Sequence, residues 1–117
     1  MSRLYRTPNG MTAQQAYDSI NRWWFEGKLP RVKICWPKYM LTAKPAMIAQ
    51  TVGSKKQAAE IHMNPKYRDA SGVWLRTLIH EAVHVEQWTS RAKDCHGPKF
   101  EKRMRQLAEA GAFYGLW

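Results

Sequence analysis

The pentapeptide His80-Glu81-Ala82-Val83-His84 constrains this chain more than any other feature. It sets three polar side chains in a stretch whose other members, Leu78, Ile79, Ala82, Val83 and Val85, are apolar. On a helix, residues four apart lie on one face, so His80 and His84 can offer two imidazole nitrogens to one metal. For zinc the bond length would be about 2.0–2.1 Å. Glu81 follows the first histidine directly, so its carboxylate stands beside the metal rather than on it. A general base for an activated water belongs there. Burying two histidines and a glutamate without partners is costly, which argues against a helix that merely happens to carry histidines.

A catalytic zinc takes three protein ligands and keeps a fourth position open. His96, twelve residues after His84 and just ahead of Pro98, is the leading candidate for the third ligand. Glu101 and Glu109 are the carboxylate alternatives. Cys95 adjoins His96 but reads as a bystander, and His62 reads as an ordinary sheet histidine. The metzincin spacing is absent, because Gly and His do not stand at its offsets.

The surrounding pattern predicts an α+β domain. Thr12 with Gln15 forms a capping box, and Ala13, Ala16, Tyr17, Ile20 and Trp24 recur at helical spacing until "EGKLP" ends the first helix. "RVKICW" (31–36) alternates as a strand with Val32, Ile34 and Trp36 on one face. "AMIAQTV" (46–52) and "QAAEIHM" (57–63) read as two more strands joined by a hairpin turn at Gly53–Lys56, and Asn64-Pro65 closes the second. A second helix is predicted from about Gly72 to Thr89, with Leu75, Leu78, Ile79, Ala82 and Val83 as its apolar stripe. The third starts at Gly97-Pro98 and ends at Gly111, with Phe100, Met104 and Leu107 toward the core.

Charge adds a second theme. Nineteen Lys+Arg against nine Asp+Glu give a formal net charge of +10 over 117 residues, a field that draws polyanions. The apolar fraction is 44% with six tryptophans, which favours a packed globule over disorder. No apolar run approaches a membrane span, and MSRLYRTPNGMT lacks the apolar core of a signal peptide, so an intracellular protein with no membrane partner is expected. The two cysteines, Cys35 and Cys95, read as reduced thiols.

Taken together the motifs resemble the SprT-like zinc metallopeptidases, the family of the DNA-dependent protease Spartan. H-E-x-x-H is followed by H-G-P-x-F at 96–100; Asn21, Phe25, Gly27, Leu29 and Pro30 match an N-x-x-x-F-x-G-x-L-P segment; and "EIHMNPKYRD" is similar to the I-x-L-[SN]-P segment before the active-site helix. The likeness runs from about residue 12 to 110. It implies a single small zincin-like domain over 1–117 with one zinc per chain, held by His80, His84 and His96, and with Glu81 as the catalytic acid/base. Cys95 departs from the family, which often has Gly there. Only 21 residues follow His96, so a C-terminal zinc ribbon is not expected.

The function these readings point to is a zinc-dependent endopeptidase, expected as a monomer, cleaving DNA-associated or DNA-crosslinked proteins. Single-stranded DNA is the preferred partner, because aromatic side chains near a basic groove can stack on unpaired bases. Arg91, Lys93, Lys99, Lys102 and Arg103 are the candidate DNA contacts. Tyr67, Arg103 and Tyr114 are candidate oxyanion donors, and "QAAEIHM" is the candidate edge strand for an extended substrate. The terminal "FYGLW" reads as an aromatic lid on the core. The alternative from another class is a basic nucleic-acid-binding module with a non-catalytic zinc, which would need four protein ligands.

Overall fold

Thr12 starts the first helix as the sequence implies. Its Oγ1 accepts from Gln15 N at 3.1 Å and its own N–H donates to Gln15 Oε1 at 2.9 Å, a complete capping box. The computed structural model describes residues 12–44, 46–88 and 96–113, with helix α1 at Ala13–Trp24, strands β1 (Lys33–Cys35), β2 (Ala49–Gly53) and β3 (Ala58–Met63), and helices α2 (Ser71–Glu86) and α3 (Pro98–Glu109). This is the predicted order of helix, three strands and two helices. No helix among the described residues is long and apolar enough to cross a membrane.

Asn21 shapes the exit from α1. Its side chain accepts from Leu29 N at 3.0 Å while the chain turns through Glu26 and Gly27, whose φ values are 55° and 73°. Gly27 suits that left-handed position because it has no Cβ to clash. The turn delivers Leu29 and Val32 to the core and launches β1, which is shorter than the alternation suggested.

The sheet has the order β1-β3-β2, with β1 parallel and β2 antiparallel to β3. This corrects one expectation: "QAAEIHM" is the central strand, so both its edges are already paired. Of the two outer strands, β1 is blunted by Gln14 of α1, whose side chain donates to Val32 O and accepts from Ile34 N, each at 3.0 Å. A side-chain amide thus occupies the backbone groups that a further strand would use. Among the described residues β2 pairs only with β3, so β2 holds the available edge.

The hairpin between β2 and β3 is closed by Ser54 N donating to Gln57 O at 3.0 Å. Gly53 is required here: a Cβ would stand 2.4 Å from Gln57 O and 2.8 Å from Ala58 Cα, both backbone atoms. Gly53→Ala is therefore expected to cost about 1–3 kcal/mol through forced backbone shifts. Thermal unfolding measures it, and an unchanged midpoint would mean that the bulge at Val52/Gly53 absorbs the methyl freely.

Helix α2 is the hub. Trp74, Leu75, Leu78, Ile79, Ala82, Val83 and Val85 are all buried, a distribution that runs around the helix because α1, the sheet and α3 pack on it. Burying each of the larger side chains contributes about 1.5–3 kcal/mol. The helix stops at Glu86, short of the expected Thr89, and Trp88 turns away to donate from Nε1 to Ser54 O at 2.7 Å. Helix α3 begins with Gly97 and Pro98 and ends at a Schellman motif: Gly111, at φ 94°, donates to Ala108 O at 3.1 Å, and Ala112 N donates to Leu107 O at 2.9 Å. Phe113 beyond it is buried against the core, while the rest of "FYGLW" lies outside the described residues.

Candidate metal centre

The one-turn spacing on α2 brings His80 and His84 together, and Gly97-Pro98 starts α3 so that His96 meets them from the other side. The three Nε2 atoms form a near-equilateral triangle: 3.2 Å between His80 and His84, 3.2 Å between His80 and His96, and 3.0 Å between His84 and His96. Phe100 of α3 floors the triangle, with its ring centroid 4.8, 4.5 and 5.0 Å from the rings of His80, His84 and His96.

Imidazole nitrogens this close repel one another's protons. Burial holds His80 down to about 4, with His96 adding to the effect; burial, then His80 and His96, holds His84 down to about 4. Both rings are neutral near pH 7, the form that ligates metal. Nitrogens bound tetrahedrally at zinc distances stand about 3.3 Å apart, so the observed triangle fits a metal with a few tenths of an ångström of adjustment. The three histidines could hold a metal ion as they stand. Glu101 and Glu109 lie exposed on α3 and do not join them.

Glu81 points from the buried side of α2 toward β2 and is 6% exposed. Its Oε1 accepts from Thr51 Oγ1 at 2.6 Å, while Oε2 stands 3.9 Å from His80 Nε2. Burial pushes its carboxyl up from the ordinary glutamate range, and the Thr51 bonds partly offset this. Thr51 is a member of the site that the sequence reading missed. Nothing in the chain pattern distinguishes it from any other strand threonine; only the pairing of β2 against β3, with Thr51 opposite Ile61 on the face toward α2, brings it there.

Histidines and carboxylate open into a cleft of about 1020 Å³. One wall is β2 and the segment before it, from Met47 to Thr51; the other carries Met104, Arg105, Ala108 and Phe113. Arg76 also lines it. Tyr67 and Arg103, the sequence-based oxyanion candidates, do not line it, and Tyr114 lies outside the described residues. Among the described residues the arginines on the cleft are Arg76 and Arg105, which the sequence reading did not single out.

The candidate DNA-binding residues divide. Lys99 and Lys102 are exposed on α3. Arg103 is held in the structure instead: Nε donates to Glu86 Oε1 at 2.8 Å, an Nη donates to Trp24 O at 3.0 Å, and the guanidinium lies 4.9 Å from the Phe25 ring centroid. It ties α3 to α2 and to the end of α1. Arg91 and Lys93 fall outside the described residues, as does Cys95.

The sequence profile of the SprT-like family matches residues 13–114. The chain belongs to the SprT-like family. No curated protein matches it at a significant level. Membership makes this SprT-like chain a metalloprotease-like domain, and the α+β fold, with three helices and a three-stranded sheet among the described residues, agrees with that. The three histidines, which could hold a metal ion, are consistent with that membership.

Proposed function

We propose that the chain is a zinc-dependent endopeptidase of DNA-associated or DNA-crosslinked proteins, with His80, His84 and His96 holding one zinc and Glu81 carrying the proton. The observation behind this reading is the convergence, in one cleft, of three mutually close imidazole nitrogens, a buried carboxylate and an available sheet edge. Zinc held by the triangle would supply Lewis acidity, acidifying a water and polarising a peptide carbonyl. Glu81 takes the proton at Oε2, the oxygen that stands 3.9 Å from His80 Nε2, and returns it to the leaving amine nitrogen. Strand β2 pairs with the extended substrate, and the Met47, Ile48, Met104 and Phe113 side chains favour apolar residues beside the scissile bond. A purely structural zinc would want a fourth protein ligand, and among the described residues the cluster has three.

Thr51 has a measurable part in this scheme. Thr51→Val keeps the shape and removes the donor to Oε1, so kcat is expected to fall roughly tenfold with little change in KM, and Thr51→Ser should restore most of it. Equal kcat in the valine variant would show that the hydroxyl does not position Glu81.

The DNA part rests on the +10 charge and on Lys99 and Lys102. Digestion of a basic DNA-bound protein, with and without single-stranded DNA, tests it: cleavage should require DNA and disappear in Glu81→Gln. Cleavage indifferent to DNA would remove the DNA-directed half of the proposal, and no cleavage under any condition would remove the peptidase half. Binding should weaken steeply with salt. In the double variant Lys99→Glu, Lys102→Glu, the log–log salt slope on single-stranded DNA should flatten by about 0.7 for each lysine that neutralises a phosphate in the wild type. An unchanged slope would place the interface elsewhere.

A further inference from the structure

The parallel pairing of β1 with β3 sets Cys35 directly beside His62, and the two-residue period of β3 returns Glu60 to the same face. Ile61 and Met63 alternate with them into the core, so this is the sheet face turned away from α2 and its histidines. Cys35, Glu60 and His62 each offer one ligand atom, and the three atoms lie within 4.8 Å of one another.

His62 is held in a defined pose. Its Nε2 stands 2.8 Å from Glu60 Oε1, and its Nδ1 stands 2.5 Å from the Tyr39 hydroxyl, which reaches over from the 3-10 turn Lys38–Leu41. The Tyr39 ring also packs edge-on against the imidazole at 5.5 Å. One ring nitrogen directed at a ligand cluster, with the other fixed by a polar group, is the arrangement of a metal-binding histidine. A cysteine nucleophile with a histidine base is the competing reading, and the geometry opposes it. Both ring nitrogens face other groups, and the Cys35 thiol has its hydrogen-bond acceptor in Ile61 O at 3.9 Å. Burial, reinforced by Glu60, pushes that thiol up, the reverse of activation.

We propose that Cys35, Glu60 and His62 form a second metal site, for a thiophilic transition-metal dication of the zinc class, on the sheet face opposite the cleft. A thiolate, an imidazole and a carboxylate select zinc and its neighbours over magnesium or calcium. The metal takes the Nε2 lone pair, and the ring proton moves to Nδ1, where it is donated to the Tyr39 oxygen. The thiol proton leaves to solvent, as ligation by sulfur requires. With Glu60 41% exposed at its side chain, the fourth position opens to water, so this metal exchanges more readily than one held by three histidines. Bound there, it staples β1 to β3.

Cobalt titration of the reduced full chain separates the two sites, because only a cysteine ligand gives a sulfur-to-cobalt charge-transfer band. A second equivalent of Co²⁺ should bind with that band. The band should persist in His84→Ala and in Cys95→Ser, and vanish in Cys35→Ser and in His62→Ala. No such band in the wild type, or a band that survives Cys35→Ser and disappears with Cys95→Ser, overturns the proposal. A second measurement needs no variant at the site: in Cys95→Ser, where Cys35 is the sole thiol, zinc should slow alkylation by at least about tenfold, since the bound sulfur is no longer a free nucleophile. An unchanged alkylation rate at saturating zinc also overturns it. None of these readouts depends on peptidase activity.

Discussion

Glu81→Gln should lower peptidase turnover by about 10²- to 10⁴-fold, the range expected when a general acid–base is removed. The amide cannot take the proton from water and has none of the required acidity to return to the amine, so both halves of the cycle fail together. The substitution is otherwise mild. Gln keeps an Oε1 that can accept from Thr51 Oγ1, so the side chain should stay where the carboxylate lies. An amide also avoids the cost of ionising a carboxyl that burial already disfavours, so thermal unfolding of the metal-free protein should not fall. The decisive pattern is lost turnover with retained metal and retained stability. Turnover equal to wild type would mean that Glu81 does not carry the proton.

His84→Ala should abolish metal binding at the histidine triangle. His84 makes the shortest edge of the triangle, 3.0 Å to His96, and bridges it to His80 at 3.2 Å. Removing it leaves two nitrogens on different elements. Losing a group that merely orients a ligand costs about 10- to 100-fold in affinity, and losing a ligand should exceed that. Metal content after dialysis, compared with and without His84→Ala in a Cys35→Ser background that lacks the proposed second site, is the direct measurement. Thermal stability is the second: in the same background, zinc at a thousandfold excess over Kd should stabilise the chain that keeps His84 by about 4 kcal/mol and leave the one with His84→Ala unmoved. A fully loaded His84→Ala protein would overturn the ligand assignment.

Much of the fold and half of the site are legible in the sequence because the governing interactions are local. The capping box at Thr12 and Gln15, the Gly97-Pro98 start and Gly111 finish of α3, and the one-turn spacing of His80 and His84 all depend on neighbours within five residues or fewer. The backbone geometry of a helix fixes such relations whatever the rest of the chain does. The apolar stripe of α2 likewise announces a buried helix, and all five of its named members are buried.

Strand order is not local, and there the reading of "QAAEIHM" as an edge fails. A central strand and an edge strand alternate in the same way along the sequence; which is which depends on partners brought from elsewhere. Gln14, eighteen residues from Val32 in the chain, closes the β1 edge through its side chain. Arg103 looks like one more surface cation in a basic helix, yet it meets Trp24 across 79 positions and Glu86 across 17. The sequence by itself determined the helices, the pair of α2 histidines with their adjacent carboxylate, and the cationic field, because helical period and composition are properties of the chain. The tertiary structure alone decided that Thr51 holds Glu81, that β2 offers the edge and that Cys35 meets His62. Each of those contacts joins segments whose separation no short-range pattern encodes.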